Sequence, residues 1–207
     1  MVKSSIVKLD SFFVAILLGG PLYYWLYLGF SDGLGANPVE AITHETGVWA
    51  LNLLVLSLTL TPLQVHLKWR RLGRYRRAVG LSVFFYGTLH ALSYVVLDHG
   101  GDVNLMLEDI TERKFMAAGM LAYLLLVPLA ITSNHWSVRA MGYRRWKRLH
   151  LLAYGAGAMA ILHFVWLVKS DYQEPMLYGT VFLVVLLLRP ALAPKKIFKY
   201  LAALIGK

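Results

Sequence analysis

Six apolar stretches separated by polar loops dominate the chain. They cover Phe12–Phe30, Val48–His66, Ala78–Leu97, Phe115–Thr132, Leu149–Val168 and Tyr172–Leu188. About 20 mostly apolar residues cross a bilayer as a helix, so the pattern predicts an all-α integral membrane protein, a six-transmembrane-helix bundle. The sixth stretch is short, and Tyr172 and Tyr178 suit an interfacial anchor. Pro21, Pro62 and Pro128 fall within or near helix ends, where neighbouring membrane helices satisfy the freed carbonyls. Lys3 and Lys8 precede Phe12–Phe30, and no small-x-small cleavage site follows it. The first stretch therefore reads as a span and not as a cleavable leader.

The loops differ in charge. The second carries Lys68, Arg70, Arg71, Arg74, Arg76 and Arg77, and the fourth carries Arg139, Arg144, Arg145, Lys147 and Arg148. The first has Asp32, Glu40 and Glu45 without a basic residue, and the third sets Asp98, Asp102, Glu108, Asp109 and Glu112 against Arg113 and Lys114. Lysine and arginine mark the cytoplasmic side, so both termini are expected inside. After Pro194, the residues Ile197, Phe198, Leu201, Leu204 and Ile205 fall on one helical stripe among Lys195, Lys196, Lys199 and Lys207. That predicts a C-terminal interfacial amphipathic helix held by membrane lipids. The whole chain, 1–207, reads as one domain, with a membrane bundle over about 10–192 and the tail at 193–207.

Composition sharpens this picture. Of 207 residues, 58% are hydrophobic and 15% charged, which excludes a large soluble domain. The net charge of +10 sits in the short basic loops and is explained by topology, not by nucleic acid. There is no cysteine. Disulfides, iron–sulfur clusters, thiolate zinc sites and covalently attached haem are thereby excluded.

Against that background three histidines stand out. His90 lies inside the third stretch, and His150 and His163 lie in the fifth. Ionisable residues at membrane depth are costly and mark functional sites by default, and imidazole is a common axial ligand of haem iron. The third and fifth helices run in the same direction. His90 and His163 therefore stand at similar depth in the outer half of the membrane, the arrangement for two axial ligands of one b-type haem. A pair of neutral histidines bonded to carbonyls is the plain alternative.

His150 stands at the cytoplasmic end, thirteen residues from His163. In an ideal helix that is roughly 20 Å along the axis and roughly 140° around it. Its readings are a ligand of a second haem with an unusual partner, a contact to a quinone or flavin, or a wet interfacial histidine. Arginines at the cytoplasmic helix ends, Arg77 and Arg145 among them, suit haem propionates or a flavin phosphate; topology explains them equally. Ala153, Gly155, Ala156, Gly157 and Ala158, like Gly80 and Gly87, permit close approach of a helix or of a flat macrocycle. His44, in the loop before the second helix, could face a partner protein or a cofactor edge, with a solvated loop histidine as the plain alternative, and His66, His99 and His135 are read as helix-end or loop residues without a role. No dinucleotide-binding glycine pattern, catalytic triad or metalloprotease motif is present.

Several motifs together carry a resemblance. They are Gly33-Leu-Gly-Ala-Asn-Pro-Val-Glu40 with His44-Glu-Thr-Gly47, Leu60-Thr-Pro-Leu63, Arg76-Arg-x-x-Gly80-Leu81 leading to His90, and Arg145-Trp-x-x-Leu-His150-x-x-x-Tyr154 leading to His163. Along nearly its whole length the chain resembles the MsrQ (YedZ) family, haem-binding membrane subunits of the periplasmic methionine-sulfoxide reductase system. The wider group is the ferric-reductase-like transmembrane domain.

The resemblance implies one or two haems b with His90, His150 and His163 as iron ligands, and FMN as a further cofactor. It implies a bacterial inner-membrane location and electron transfer across that membrane. The donor would be the quinone pool or a cytosolic flavin reductase. The acceptor would be a periplasmic molybdopterin-containing methionine-sulfoxide reductase catalytic subunit, in repair of oxidised proteins. Two rival functions stay open: a stand-alone metalloreductase or oxidase serving Fe(III) or oxygen, and a transporter with a histidine proton relay.

Overall fold

The computed structural model describes residues 2–31 and 33–189, with side chains from Ala15 onward except Leu17 and Arg70. Among the described residues there are helices and turns and no strand. In chain order the α-helices are α1 (Val2–Phe30), α2 (Pro38–His66), α3 (Arg76–Leu92), α4 (Val103–Glu112), α5 (Lys114–Ile131), α6 (His135–Met141), α7 (Tyr143–Leu149), α8 (Leu152–Leu167) and α9 (Gln173–Leu187).

Among the described residues four segments are long and apolar enough to cross a membrane: Pro38–His66, Arg76–Asp98, Lys114–Ile131 and Tyr143–Leu167. They contain the second and third predicted stretches, and the fourth and fifth up to one residue at their C-terminal ends. The first prediction falls within α1. The sixth corresponds to α9, whose 15 residues reach about 22 Å, short of a hydrocarbon core of about 30 Å. The predicted C-terminal amphipathic helix lies outside the described residues.

Three local features depart from the sequence reading. First, α2 begins ten residues before the predicted stretch, because the Gly33–Glu40 block builds a helix start. Gly35 takes the left-handed φ of 81° that glycine adopts without strain. Asn37 caps the helix by accepting from the Glu40 amide at 3.3 Å and donates its own amide to the Glu40 carboxylate at 3.0 Å. Pro38 fills the first turn, where its missing N–H costs nothing. His44 is thus a helical residue and not a loop residue.

Second, α3 continues into a π-helical turn over Ser93–Asp98, a distortion found often at functional sites. Third, the fifth stretch is two helices joined at His150 and Leu151, which keep right-handed backbone angles.

Two helix pairs form the body. α2 packs along α3, and α5 packs along α8. The core joins Leu53, Leu54 and Leu58 of α2 to Val79, Val83 and Tyr86 of α3, with Phe182 and Val185 of α9 and Trp25 of α1. Hydrogen bonds at membrane depth tie the outer helices on: Tyr86 Oη donates to the Leu18 carbonyl at 2.6 Å, and Tyr178 Oη donates to Asn52 at 2.8 Å. Gly157 lets α9 approach, since a Cβ there would lie 2.6 Å from the Phe182 ring. Helix packing accounts for this glycine.

Candidate haem site

His90 on α3 and His163 on α8 face each other across one cavity, with ring centroids 6.1 Å apart and planes at 78°. Each ring is held the same way by the other helix of its pair. His90 Nδ1 lies 2.8 Å from the Thr43 carbonyl on α2, and His163 Nδ1 lies 2.7 Å from the Phe115 carbonyl on α5. A carbonyl only accepts, so Nδ1 carries the proton in both rings and Nε2 is left as the basic nitrogen.

Four residues beyond each carbonyl comes a glycine. A Cβ at Gly47 would lie 2.9 Å from His90 Cε1, and one at Gly119 would lie 2.7 Å from His163 Nδ1. The helix surface is cut away where each imidazole rests. Ser93 adds a third fixing contact at His90: its hydroxyl donates to the His90 carbonyl at 2.8 Å and receives the Thr43 hydroxyl at 2.9 Å.

The rest of the wall is apolar or small, including Leu51, Leu54, Gly87, Met120, Ala156 and Ala160. Among the described residues no carboxylate or permanently charged side chain lines it. The donor set suits haem iron. Two imidazole–metal bonds of about 2.0 Å each, with the ring radii added, ask for centroids about 6 Å apart. A second carbonyl-bound nitrogen on each ring is the usual way a ligating imidazole is oriented. Two opposed histidines without a carboxylate or cysteine suit a macrocycle better than a bare ion; His44 also lines the cavity, but no cluster of three or more metal-ligating residues occurs among the described residues.

His150 does not join this pair. It borders a second cavity, at the end where the basic loops meet. Gly73, Arg76 and Arg77 come to it from one loop, and Tyr143, Trp146 and Lys147 from the other, with Arg189 beyond α9. The His150 ring lies against Trp146 with centroids 3.9 Å apart and planes tilted by 32°, and sits 3.2 Å from the Thr132 hydroxyl. His135 lines the same cavity. Among the described residues no carboxylate does, and burial beside Arg76 lowers the Arg189 pKa from its ordinary value. The arrangement favours an anion. Of the two arginines singled out by sequence, Arg77 lines the cavity, while Arg145 is exposed and does not.

Other histidines are engaged elsewhere. His66 Nε2 lies 2.7 Å from the Leu188 carbonyl, joining the ends of α2 and α9. His99 Nε2 lies 3.1 Å from Asp109, which also pairs with Arg113 at 3.2 Å and pins α4 beside the π-helical turn. His44 borders the His90 cavity. Gly119 is the site residue that sequence reasoning overlooked. Its signal is the shared spacing, Thr43 to Gly47 and Phe115 to Gly119.

Residues 46–161 match the family described as ferric reductase like transmembrane component. A protein-methionine-sulfoxide reductase heme-binding subunit MsrQ from Herminiimonas arsenicoxydans is 42% identical over 187 residues, spanning 89% of this chain and 84% of that protein. The MsrQ subunit of Bordetella pertussis is 46% identical over 171 residues, 82% of each chain. That of Brucella anthropi is 44% identical over 169 residues, 82% of this chain and 76% of its own. No solved structure matches the chain. Aligned at these identities over most of its length, this multi-pass membrane protein belongs to the ferric-reductase-like transmembrane family and, within it, to the MsrQ haem-binding subunits.

Proposed function

We propose that the chain is a membrane b-type cytochrome that feeds electrons to a periplasmic methionine-sulfoxide reductase subunit containing molybdopterin. The supporting observation is the opposed pair His90 and His163. Each has its tautomer set by a carbonyl, Nε2 left for iron, and a glycine cut-out behind the ring. Bound there, a haem supplies reversible one-electron chemistry at iron, with a potential set by its axial ligands and by exclusion of water. The protein supplies rigid imidazoles and an apolar wall.

In this reading α1 and α9 complete six spans, with both termini and the basic loops in the cytoplasm. His150 and Arg77 serve an inner planar anion, FMN or a second haem, in the cationic cavity. The donor is the quinone pool or a cytosolic flavin reductase. The transporter reading predicts a colourless protein.

The test is a dithionite-reduced minus oxidised spectrum of purified protein with haem quantification. A low-spin b-type spectrum is expected, lost in His90→Ala and in His163→Ala and retained in His66→Ala. An unchanged spectrum in either of the first two variants rejects the ligand pair. The haem-to-protein ratio decides between FMN and a second haem at the inner cavity.

A further inference from the structure

A groove between α1 and α2 has no part in the site described above. It is lined by Pro21, Tyr24, Trp25 and Leu28 of α1 and by Glu45 and Trp49 of α2. Its outer flank is lipid-facing in character: Tyr23, Tyr27 and Phe30 of α1 are exposed at 80%, 68% and 91%. Glu45 is the one carboxylate lining the groove among the described residues. Glu45 lies at the membrane edge, three residues before the apolar run from Val48, with its side chain 46% exposed, and a lone carboxylate at the mouth of an otherwise apolar groove asks for a reason.

Its position supplies one. Ala41, Glu45 and Trp49 line the groove, whereas Thr43 and Gly47, on the next face of the same helix turns, hold the His90 ring. The groove and the imidazole pair are therefore level, and about one helix diameter, about 10 Å, lies between them. His44 links the two: it borders the His90 cavity, its Nδ1 is 3.9 Å from the Glu45 carboxylate, and its side chain is 58% exposed. A lipid acyl chain needs neither aromatic walls nor a carboxylate. A lipid-soluble aromatic donor of hydrogen needs both, together with an electron acceptor close by and an exit for protons.

We infer that this groove is a quinol-oxidation site, with Glu45 as the proton acceptor and His44 as its outlet. The inference rests on the proposed haem site and on a quinol donor. In each of two steps a quinol O–H bond breaks, its proton passes to the Glu45 carboxylate, then to His44, then to water. One electron leaves with each proton for the b-type haem held by His90 and His163, which the partner reductase reoxidises between steps. The products are quinone, two protons and two electrons. Donor oxidation and electron delivery then share one end of the bundle, and the cationic inner cavity is not on the quinol route.

The test uses full-length, haem-loaded protein in detergent. Decylubiquinol and menadiol are mixed with it and the rate of haem reduction is followed optically. Binding of decylubiquinone is followed separately by quenching of tryptophan fluorescence, which needs no turnover. Glu45→Gln is expected to slow quinol-driven reduction by about 10²-fold while dithionite still reduces the haem fully. Ala41→Phe, which fills the groove, is expected to abolish saturable quinone binding and quinol-driven reduction with an unchanged haem spectrum. Equal rates in wild type and both variants overturn the groove assignment and leave the quinol donor standing. Failure of both quinols to reduce the wild-type haem overturns the donor reading, and this inference with it.

Discussion

The two cavities of this bundle are built on different principles. At the His90–His163 cavity each imidazole is locked by a carbonyl and a glycine on its neighbouring helix, and no permanent charge is present. At the second cavity the His150 imidazole lies against a hydroxyl and a tilted indole, His135 lines the same wall, and Arg76, Arg77, Lys147 and Arg189 surround them. The first fixes two nitrogens in space and leaves their basic atoms for a metal. The second offers positive charge and an aromatic plane and fixes very little. A histidine at membrane depth is thus not one kind of signal; the contacts on its second nitrogen decide what it can do.

The sharpest break between the cavities is spectral. His150→Ala is expected to keep the low-spin spectrum that His163→Ala loses. Its stability cost is about 1 kcal/mol, the worth of one hydrogen bond to a neutral partner. Thermal melts beside optical spectra read both effects. Loss of the low-spin signal in His150→Ala would mean that the inner imidazole, not the opposed pair, binds the principal haem.

Next in size is the glycine test. Gly119→Ala drives a methyl to within 2.7 Å of His163 Nδ1, so the ring has to leave the Phe115 carbonyl. Overpacking of this kind costs about 1–3 kcal/mol, and most of the bound haem is expected to be lost in a pyridine haemochrome assay. Gly47→Ala should follow with a smaller loss. Gly80→Ala, bordering the inner cavity with 3.8 Å to Ser57, should retain full haem and gain a few tenths of a kcal/mol, up to about 1 kcal/mol, in helix stability. Equal haem content in all three would show that the glycines serve packing alone.

How much of this was legible beforehand follows from the same residues. Alternating loop charge and apolar length disclose four central spans, and matched depth brings His90 and His163 together. The glycines behind those rings are not visible, because glycine in a membrane helix more often permits helix contact, as Gly157 does against Phe182. The start of α2 is hidden for another reason. Its first turns, Pro38 to Gly47, carry polar residues that read as loop, yet Thr43 within them supplies the carbonyl for His90. The contacts of the inner site are hidden too, since neither the Trp146 indole nor the Thr132 hydroxyl that meets His150 stands out in the sequence.

A smaller effect separates two arginines that sequence treats alike. Arg77 borders the inner cavity and Arg145 does not. Arg77→Gln is expected to weaken FMN binding about fivefold, near 1 kcal/mol, with a reduced dependence on salt. Arg145→Gln should change it by less than about twofold. Flavin fluorescence quenching at two ionic strengths measures both. Equal losses would make the cationic end a diffuse field and not a site.

The smallest expected effect lies in the block before α2, and it tests whether the outer cavity depends on that helix start. Asn37 closes the first turn through two bonds with Glu40, and Thr43 and Gly47 follow within the next turns. Removing an N-cap costs about 1 kcal/mol, so Asn37→Ala should lower the melting temperature by a few degrees at most. Fraying would reach the Thr43 carbonyl before any part of the inner cavity. Haem should therefore dissociate faster from His90 and His163 in Asn37→Ala, measured by transfer to apomyoglobin, while FMN affinity at the cationic end stays constant. If both ligands loosen together, the two ends of the bundle are mechanically coupled, and the contrast between a locked site and an electrostatic one fails.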